Sequence, residues 1–248
     1  MSNGGQPGLY DDPALFSAYE AMRQRAGRLN EVVEEPAVLS LLPDVAGADV
    51  ADLGCGAGAM GRKLVALGAA SVLGIDSSQR MLEQAKQHGA ALKQLAFKQQ
   101  SLEDLQLPEL GFDVILSSLA LHYVGNFERL VDVIYRALKP KGCLIFSVEH
   151  PIVTCHTREW ITGDDGVRQA WPVDRYGEEG HRDARWLELT VPREHRTVAS
   201  YINGLLDAGF SIARLLEPMP DQADIDRWPR LADQRRRPPF LVVRADKT

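Results

Sequence analysis

The stretch Val50-Ala-Asp-Leu-Gly-Cys-Gly-Ala-Gly58 is a short apolar run that leads directly into three glycines at alternate positions. Glycine lets the backbone turn sharply and approach a ligand closely, and such a turn presents backbone amides at the start of the next helix. A plain turn from strand to helix does not need three glycines. The stretch therefore predicts a strand followed by a ligand-binding turn.

A carboxylate follows at the end of the next strand-like run, Gly74-Ile-Asp76. An acid at the tip of the neighbouring strand can accept hydrogen bonds from both hydroxyls of a ribose. The plainer alternative is a helix N-cap, but Ser77 or Ser78 could fill that role alone. Because Asp76 accompanies the glycine turn, we favour a ligand contact.

Short β-rich runs alternate with amphipathic stretches from Val50 to about Ser147, a pattern typical of parallel strands joined by crossover helices. Before them, the sequence predicts two helical segments, and after an irregular stretch it predicts two more strands and two more helices. The predicted strands are 49–53, 71–76, 95–100, 112–117, 143–148, 210–216 and 240–244. The predicted helices are 13–26, 30–42, 60–67, 79–88, 127–138, 197–208 and 221–232.

The alternation divides the chain into four parts. Residues 1–43 are predicted to form a helical lid and residues 44–150 the ligand-binding core. Residues 151–196, where no periodicity holds, are predicted to form an inserted cap, because a connection this long in a compact domain usually has a function. Residues 197–248 are predicted to complete the core sheet.

The composition is typical of a soluble globular protein, with 45% hydrophobic and 25% charged residues. The formal net charge of −6 gives no general attraction to nucleic acid, and the tight basic run 235–237 is read as a solvated loop. No apolar stretch is long enough to span a membrane and no signal peptide is evident, so we expect a cytoplasmic protein. Cys55, Cys143 and Cys155 are too few and too scattered for a disulfide framework or a zinc site.

Four motifs together resemble the class I S-adenosylmethionine-dependent methyltransferases, and look like the methyltransferase-11 or UbiE-like group. The motifs are Val50 to Gly58, Val72-Leu-Gly-Ile-Asp-Ser-Ser78, Phe112-Asp-Val-Ile-Leu-Ser-Ser118 and Leu138-Lys-Pro-Lys-Gly142. The resemblance covers roughly Val50 to Val148. It implies an α/β fold with a Rossmann-like, doubly wound sheet of seven strands, of which the last is antiparallel. It also implies S-adenosyl-L-methionine as cofactor, S-adenosyl-L-homocysteine as product and a small-molecule acceptor.

The resemblance also suggests where the cofactor binds. Asp52 would lie near the ammonium group of the cofactor's methionine part, and Asp76 would contact its ribose. The glycine turn would lie beneath the cofactor. Met81 stands where an apolar residue contacts the adenine, although a methionine on a helix is more often core. Ser101 replaces an acid that the family often has near the adenine amino group. The predicted cofactor-binding residues are Asp52, Gly54, Cys55, Gly56, Gly58, Asp76, Ser77, Met81, Ser101, Leu102, Ser117 and Tyr19.

Candidates for a catalytic base are His122 after the fourth predicted strand and Glu149 with His150 after the fifth. Ligands bind outside the carboxyl ends of strands in open α/β sheets, and histidine can take a proton near neutral pH. Each residue also has a plain interpretation. His122 beside Tyr123 can be a packed loop residue, and Glu149 ahead of Pro151 can hold a turn.

The predicted cap mixes aromatic and guanidinium side chains, which would suit a planar or anionic acceptor. They are Trp160, Trp171, Tyr176 and Trp186 with Arg158, Arg168, Arg175, Arg182 and Arg185. An equally plain interpretation is a cap that packs on the sheet with solvated charges. The same two interpretations, contact with the acceptor or packing on the sheet, apply to His195 and Arg196.

Two other functions stay open. Two short matches would indicate an NAD(P)-dependent oxidoreductase. The dinucleotide-binding fingerprint matches Gly56-Ala-Gly58-Ala-Met-Gly61, and a Tyr-x-x-x-Lys spacing typical of dehydrogenases matches Tyr135 to Lys139. Asp52 opposes that interpretation, because a carboxylate suits a positively charged ligand better than a pyrophosphate. A non-catalytic S-adenosylmethionine-binding protein is the third possibility. The assembly is expected to be a monomer or a homodimer.

Overall fold

The structure is a computed structural model that describes residues 8–156, 159–186 and 189–248, and for residues 185 and 186 the backbone alone. Arg158 and the side chains of Arg185 and Trp186, which the sequence places in the cap, lie outside the described residues. Among the residues that are described, no helix is both long and apolar enough to cross a membrane.

Eleven strands and eight α-helices follow one another along the described chain. The strands are β1 Asp49–Leu53, β2 Ser71–Asp76, β3 Leu95–Gln99, β4 Phe112–Ser118, β5 Leu138–Glu149, β6 Ile161–Thr162, β7 Arg168–Ala170, β8 Gly180–Trp186, β9 Leu189–His195, β10 Phe210–Leu216 and β11 Phe240–Lys247. The helices are α1 Pro13–Arg23, α2 Glu35–Ser40, α3 Ala59–Ala66, α4 Gln79–Gly89, α5 Phe127–Ala137, α6 Pro151–Thr154, α7 Val198–Asp207 and α8 Gln222–Arg227.

Seven of the strands form one sheet in the order β10-β11-β5-β4-β1-β2-β3. β1 to β5 pair in parallel, whereas β11 runs antiparallel to both of its neighbours, β5 and β10. The Rossmann-like sheet of seven strands with an antiparallel last strand is therefore confirmed. Because the carboxyl ends of the parallel strands meet at one edge, the residues that follow β1, β2, β4 and β5 are brought together there.

Helices cover both faces of this sheet. On one face, Phe127 of α5 packs edge-on against Tyr201 of α7 at 5.0 Å between ring centroids, next to Phe146 of β5. On the other face, Val38 and Leu64 are fully buried in the same cluster as Val50 and Val72. Val38 belongs to the second predicted N-terminal helix, so that segment forms part of the core.

The predicted elements differ from the structure most clearly in three places. β5 begins at Leu138, earlier than predicted. The predicted helix 221–232 ends at Arg227 and continues as a 3-10 turn over Pro229–Arg236, because a proline disfavours helical conformation in the residue before it. The irregular stretch 151–196 contains α6 and the two hairpins β6–β7 and β8–β9. All residues of β6 and β7 are exposed, so no alternation of apolar residues marks them in the sequence.

The first N-terminal segment is held against the start of α4 by hydrogen bonds. Asp12 caps α1 by accepting from the amides of Ala14 and Leu15, both at 2.9 Å. Asp11 accepts from the Gly8 amide at 2.9 Å and from the Ser78 hydroxyl at 2.7 Å. The main apolar anchor of α1 is Leu15, which is its one buried residue. Polar contacts therefore carry much of this docking.

Gly8→Ala is expected to loosen the segment. A Cβ at this position would lie 2.6 Å from the Ser78 amide nitrogen and 2.7 Å from its Cα, a distance that backbone atoms do not tolerate. We expect faster hydrogen exchange in α1 and a melting temperature lower by about 2 to 4 °C, the shift that about 1 kcal/mol produces at this chain length. Gly177→Ala is the matched control, because its Cβ meets nothing within 4 Å. Exchange in α1 equal to that of the control would contradict the docking.

Candidate active site

A cavity of about 540 Å³ lies at the carboxyl edge of the sheet. Its floor is formed by the ends of β1 and β2 and the glycine turn, and one wall by the loop after β4. The N-terminal segment covers it from Leu9 to Glu35, and the β8–β9 hairpin adds Pro192 and Arg193. The predicted residues that line it are Tyr19, Asp52, Gly54, Cys55, Gly56, Asp76, Ser77, Met81, Ser101, Leu102, His122 and Glu149.

The three glycines of the turn all have positive φ, at 72°, 51° and 71° for Gly54, Gly56 and Gly58. A Cβ on Gly54 would lie 2.3 Å from the Ala120 Cβ, and one on Gly58 would lie 2.8 Å from the Phe97 ring. On Gly56 it would meet nothing within 4 Å. Two glycines are thus needed for packing, and Gly56 faces open space. Gly58 does not line the cavity; it starts α3 in the left-handed conformation.

Asp76 joins the two loops beneath the cavity. Its carboxylate accepts from the Gly56 amide at 2.8 Å and from the Ser78 amide at 2.8 Å. Burial raises the pKa of Asp76, and the backbone hydrogen bonds oppose that rise. Because these amides would lose their acceptor, replacing Asp76 with alanine is expected to disturb the turn as well as any ligand contact.

Asp52 is 1% exposed and lines the cavity, yet its Oδ2 atom has no hydrogen-bond partner. Burial, followed by the nearby charge of Asp76, raises the pKa of Asp52 to about 7. An unpaired buried carboxylate is costly, and a cation in the cavity would offset that cost. This corner therefore fits a positively charged group such as the methionine ammonium of the expected cofactor.

The remaining predicted contacts surround the same floor. Met81 is 1% exposed and lines the cavity, so it is both a core residue and a wall. The Ser101 hydroxyl accepts from the Glu103 amide at 3.2 Å and caps the 3-10 turn that carries Leu102. Burial and then the charges of Asp52 and Asp76 raise the pKa of the Cys55 thiol, which therefore stays protonated. Tyr19 packs against Tyr10 with 4.9 Å between ring centroids.

Besides Gly58, two predicted site residues, Ser117 and His150, do not line this cavity. Ser117 is fully buried within β4 and donates its hydroxyl hydrogen to the Leu53 carbonyl at 2.8 Å. The alternation of side chains along a strand turns Ser117 into the sheet and the next residue, Ser118, toward the cavity. His150 caps α6 through its Nδ1 atom, and its Nε2 atom lies 2.8 Å from Glu217 Oε1. The proposed catalytic role of His150 therefore does not fit its position.

His122 and Glu149 do lie at the cavity, and each is already engaged. The Glu149 amide donates to His122 Nδ1 at 3.4 Å, which leaves Nε2 to carry the proton in the neutral ring. The Glu149 carboxylate accepts from Arg193 Nε at 2.8 Å, and Arg193 lies 4.5 Å from the centroid of the Tyr123 ring. These groups hold the wall of the cavity together.

Glu34 is a cavity residue that sequence reasoning missed. It ends a π-helical turn, Asn30–Glu34, and is 2% exposed. Its Oε1 atom accepts from the Ser118 hydroxyl at 2.8 Å and from the Ser147 hydroxyl. Burial raises the pKa of Glu34. The sequence signal was weak, because a glutamate in a helical segment usually faces solvent.

Several other candidates have structural roles. Lys139 pairs with Asp49 and Asp113 at 2.8 Å each, and Tyr135 packs edge-on against Phe210, so the dehydrogenase-like pair is absent from the lining of the cavity.

The polar side chains of the cap mostly bind neighbouring parts of the protein. The His195 ring forms hydrogen bonds with the Thr154 hydroxyl and the Tyr176 carbonyl. Arg196 donates to the carbonyls of Val124 and Gly125, Arg175 pairs with Glu178, and Arg182 donates to backbone carbonyls.

Comparisons with known proteins show what the chain is similar to. Residues 51–146 match the family described as "Methyltransferase domain". An S-adenosylmethionine-dependent methyltransferase from Mesorhizobium loti is 41% identical, with a TM-score of 0.81 over 86% of this chain and 97% of that one. An uncharacterised protein of Haemophilus influenzae is 40% identical over 96% of both chains. A ubiquinone biosynthesis O-methyltransferase of Xanthomonas oryzae is 35% identical over 42% of this chain and 44% of its own.

Asp52→Asn is expected to stabilise the protein without ligand and to weaken cofactor binding. The raised pKa means that the folded protein binds this proton more tightly than the unfolded chain. Stability is therefore lost as the pH rises toward and through 7. At pH 8 the neutral variant should melt about 2 to 4 °C higher, the shift expected for about 1 kcal/mol. Its affinity for S-adenosylhomocysteine should fall roughly tenfold or more, because a charge-assisted contact is lost.

Calorimetric titration at pH 6, 7 and 8 sharpens this test. In the wild type, affinity for S-adenosylhomocysteine should rise with pH, because the ammonium binds the ionised carboxylate; the variant should lack that dependence. Asp207→Asn, on an exposed helix position, is the matched control. Wild-type affinity in Asp52→Asn would remove Asp52 from the cofactor site.

Proposed function

Because the chain belongs to the S-adenosylmethionine-dependent methyltransferases, we propose that it transfers the cofactor's methyl group to a small-molecule acceptor by direct displacement. The observation that carries the proposal is the buried carboxylate of Asp52 beside the glycine turn, whose Oδ2 atom has no hydrogen-bond partner and favours a cation in the cavity. Bound S-adenosylmethionine supplies an electrophilic methyl group on its sulfonium.

The proposed cofactor contacts use residues from three strand ends. Asp52 binds the ammonium, Gly56 lets the backbone approach, and Asp76 accepts from the ribose while it holds the turn. Met81 and Leu102 give apolar contact to the adenine. These assignments follow the resemblance residue by residue, and the lining of the cavity supports all five.

The chain's own contribution to the reaction is alignment and exclusion of water, since displacement at a sulfonium needs little covalent help. Leu119, directly after β4, has a left-handed backbone with φ of 54° and lines the cavity. Its amide donates to the Ser147 carbonyl and hydroxyl, both at 3.0 Å. A strained conformation of this kind costs about 1 to 3 kcal/mol and tends to occur where a loop must be held for function. We propose that this loop borders the reacting methyl group.

Where the acceptor arrives protonated, Glu34 is the strongest candidate for the proton acceptor. A carboxylate whose pKa is raised by burial is better matched to neutral pH than an exposed one. The hydroxyls of Ser118 and Ser147 fix its position. His122 and Glu149 remain candidates for orienting the acceptor, since both line the cavity and both are held by neighbours.

A small acceptor is consistent with a cavity that the N-terminal segment covers and that must also hold the cofactor. The Xanthomonas relative is named as a ubiquinone biosynthesis O-methyltransferase, which supports a small-molecule acceptor. The planar or anionic character that the cap composition suggests is part of the proposal. Cytoplasmic location and a monomeric or homodimeric assembly stay predictions from the sequence.

Thermal melting with S-adenosylhomocysteine and with NAD tests the cofactor. A ligand at 100 times its dissociation constant adds about 2.7 kcal/mol, or roughly 5 to 11 °C at this chain length. We expect that rise with S-adenosylhomocysteine and none with NAD. A rise with NAD alone would favour the oxidoreductase.

Turnover separates an enzyme from a non-catalytic binding protein. We expect S-adenosylhomocysteine to be released from S-adenosylmethionine with at least one member of a panel of small hydroxyl, amine and carbon acids. Cofactor binding without turnover on any member would favour a binding protein.

A further inference from the structure

A second cavity, of about 550 Å³, adjoins the first. The two share five lining residues, which are Met22, Arg28, Asn30, Glu149 and Phe240. The second cavity extends toward the cap residue Trp171 and the segment before β11. A molecule that contacts these five residues therefore lies at the border of both cavities.

The lining of the second cavity is strongly basic, although the whole chain carries a formal net charge of −6. Arg25, Arg28, Arg168, Arg230 and Arg237 line it, and the one acidic lining residue is Glu149, which pairs with Arg193. This concentration of positive charge favours an anion.

Arg237 is the buried member of the set, at 9% exposed. Its guanidinium stacks on Trp171 at 3.9 Å from the ring centroid, and its Nε and Nη1 atoms have no hydrogen-bond partner. Burial, followed by the charge of Arg168, lowers the pKa of Arg237 to about 10, so it stays charged at neutral pH. The sequence interpretation of residues 235–237 as a solvated loop is therefore wrong for Arg237. A buried cation with two unused donors is costly unless a ligand fills them.

The other arginines of the lining differ in how many of their guanidinium donors already have a protein partner. Arg168 pairs with Asp233 at 3.1 Å, and Arg230 donates to the carbonyls of Ala26 and Gly27. Arg28 pairs with Glu31 at 3.4 Å, but its Nε atom is buried without a hydrogen-bond partner. Arg237 and Arg28 are thus the arginines of this lining that have a buried guanidinium nitrogen without a hydrogen-bond partner.

We propose that this second cavity binds an anionic oxygen group of the methyl acceptor, a carboxylate or a phosphate, through Arg237 and Arg28. Guanidinium groups match both anions because their fixed donors can form two parallel hydrogen bonds to a pair of oxygens. The inference rests on the proposed function, which it deepens by naming the class of acceptor. The cap contributes Trp171, which holds the Arg237 guanidinium in place.

The test titrates benzoate, phenyl phosphate and benzamide into the full chain saturated with S-adenosylhomocysteine, with affinity measured by calorimetry. We expect at least one of the two anions to bind ten times more tightly than neutral benzamide, and the tighter anion identifies the group. Arg237→Met keeps an apolar stem against Trp171 and should weaken that binding at least tenfold. The exposed Arg214→Met is the matched control and should bind as the wild type does.

Arg237→Met should also leave S-adenosylhomocysteine affinity unchanged, because Arg237 does not line the first cavity. If that variant fails to fold, Arg28→Met is titrated in its place, with the same loss expected. Anions that bind no better than benzamide, or equally to the wild type and the variant, would overturn the anion site and leave the methyltransferase proposal intact. Failure of S-adenosylhomocysteine to bind the wild type would instead overturn the proposed function, and the anions can then be titrated into the ligand-free chain.

Discussion

The carboxylate of Asp76 connects the parts that make the candidate site. It accepts from the Gly56 amide of the glycine turn and from the Ser78 amide at the start of α4, each at 2.8 Å. Ser78 in turn donates to Asp11, which accepts from Gly8 in the N-terminal segment. One acid at the tip of β2 therefore fixes the turn beneath the cavity, and through Ser78 it also holds the N-terminal segment that covers the cavity. Buried amides need acceptors, so this arrangement constrains everything around the cavity.

Charge is divided between the two adjoining cavities. The first holds three largely buried carboxylates, Asp52, Asp76 and Glu34, and burial raises the pKa of each. The second is lined by five arginines, among them the buried Arg237. Unpaired buried charges lower the free energy of unfolding. Ligands of opposite charge, bound at this edge of the sheet, would offset that loss of stability. This trade between stability and binding is common at functional sites.

Much of the fold was predictable because its signals are local. β1, β2 and β10 have the predicted bounds, and a glycine marks the end of β1, at Gly54, and the start of β10, at Gly209. Prediction failed where local signals conflict or vanish. Pro229 divides the predicted last helix, and β6 and β7 are exposed on every residue and so carry no alternation. Of the predicted cofactor-binding residues, Ser117 and Gly58 do not line the cavity, because the strand turns Ser117 into the sheet and Gly58 begins α3.

The sequence by itself determined the glycine turn, the two acids at the strand tips and the class of fold, because spacing along a strand and turn is sufficient to place them. Only the tertiary structure placed Glu34, Arg193 and Arg237 in the lining of the cavities. These residues come from an N-terminal π-helical turn, a cap hairpin and the segment before β11, which are far apart in the chain. Their contacts with the cavities depend on how separate segments pack on the sheet edge. No periodicity or motif records such packing, since burial of a charged side chain is decided by its neighbours in space.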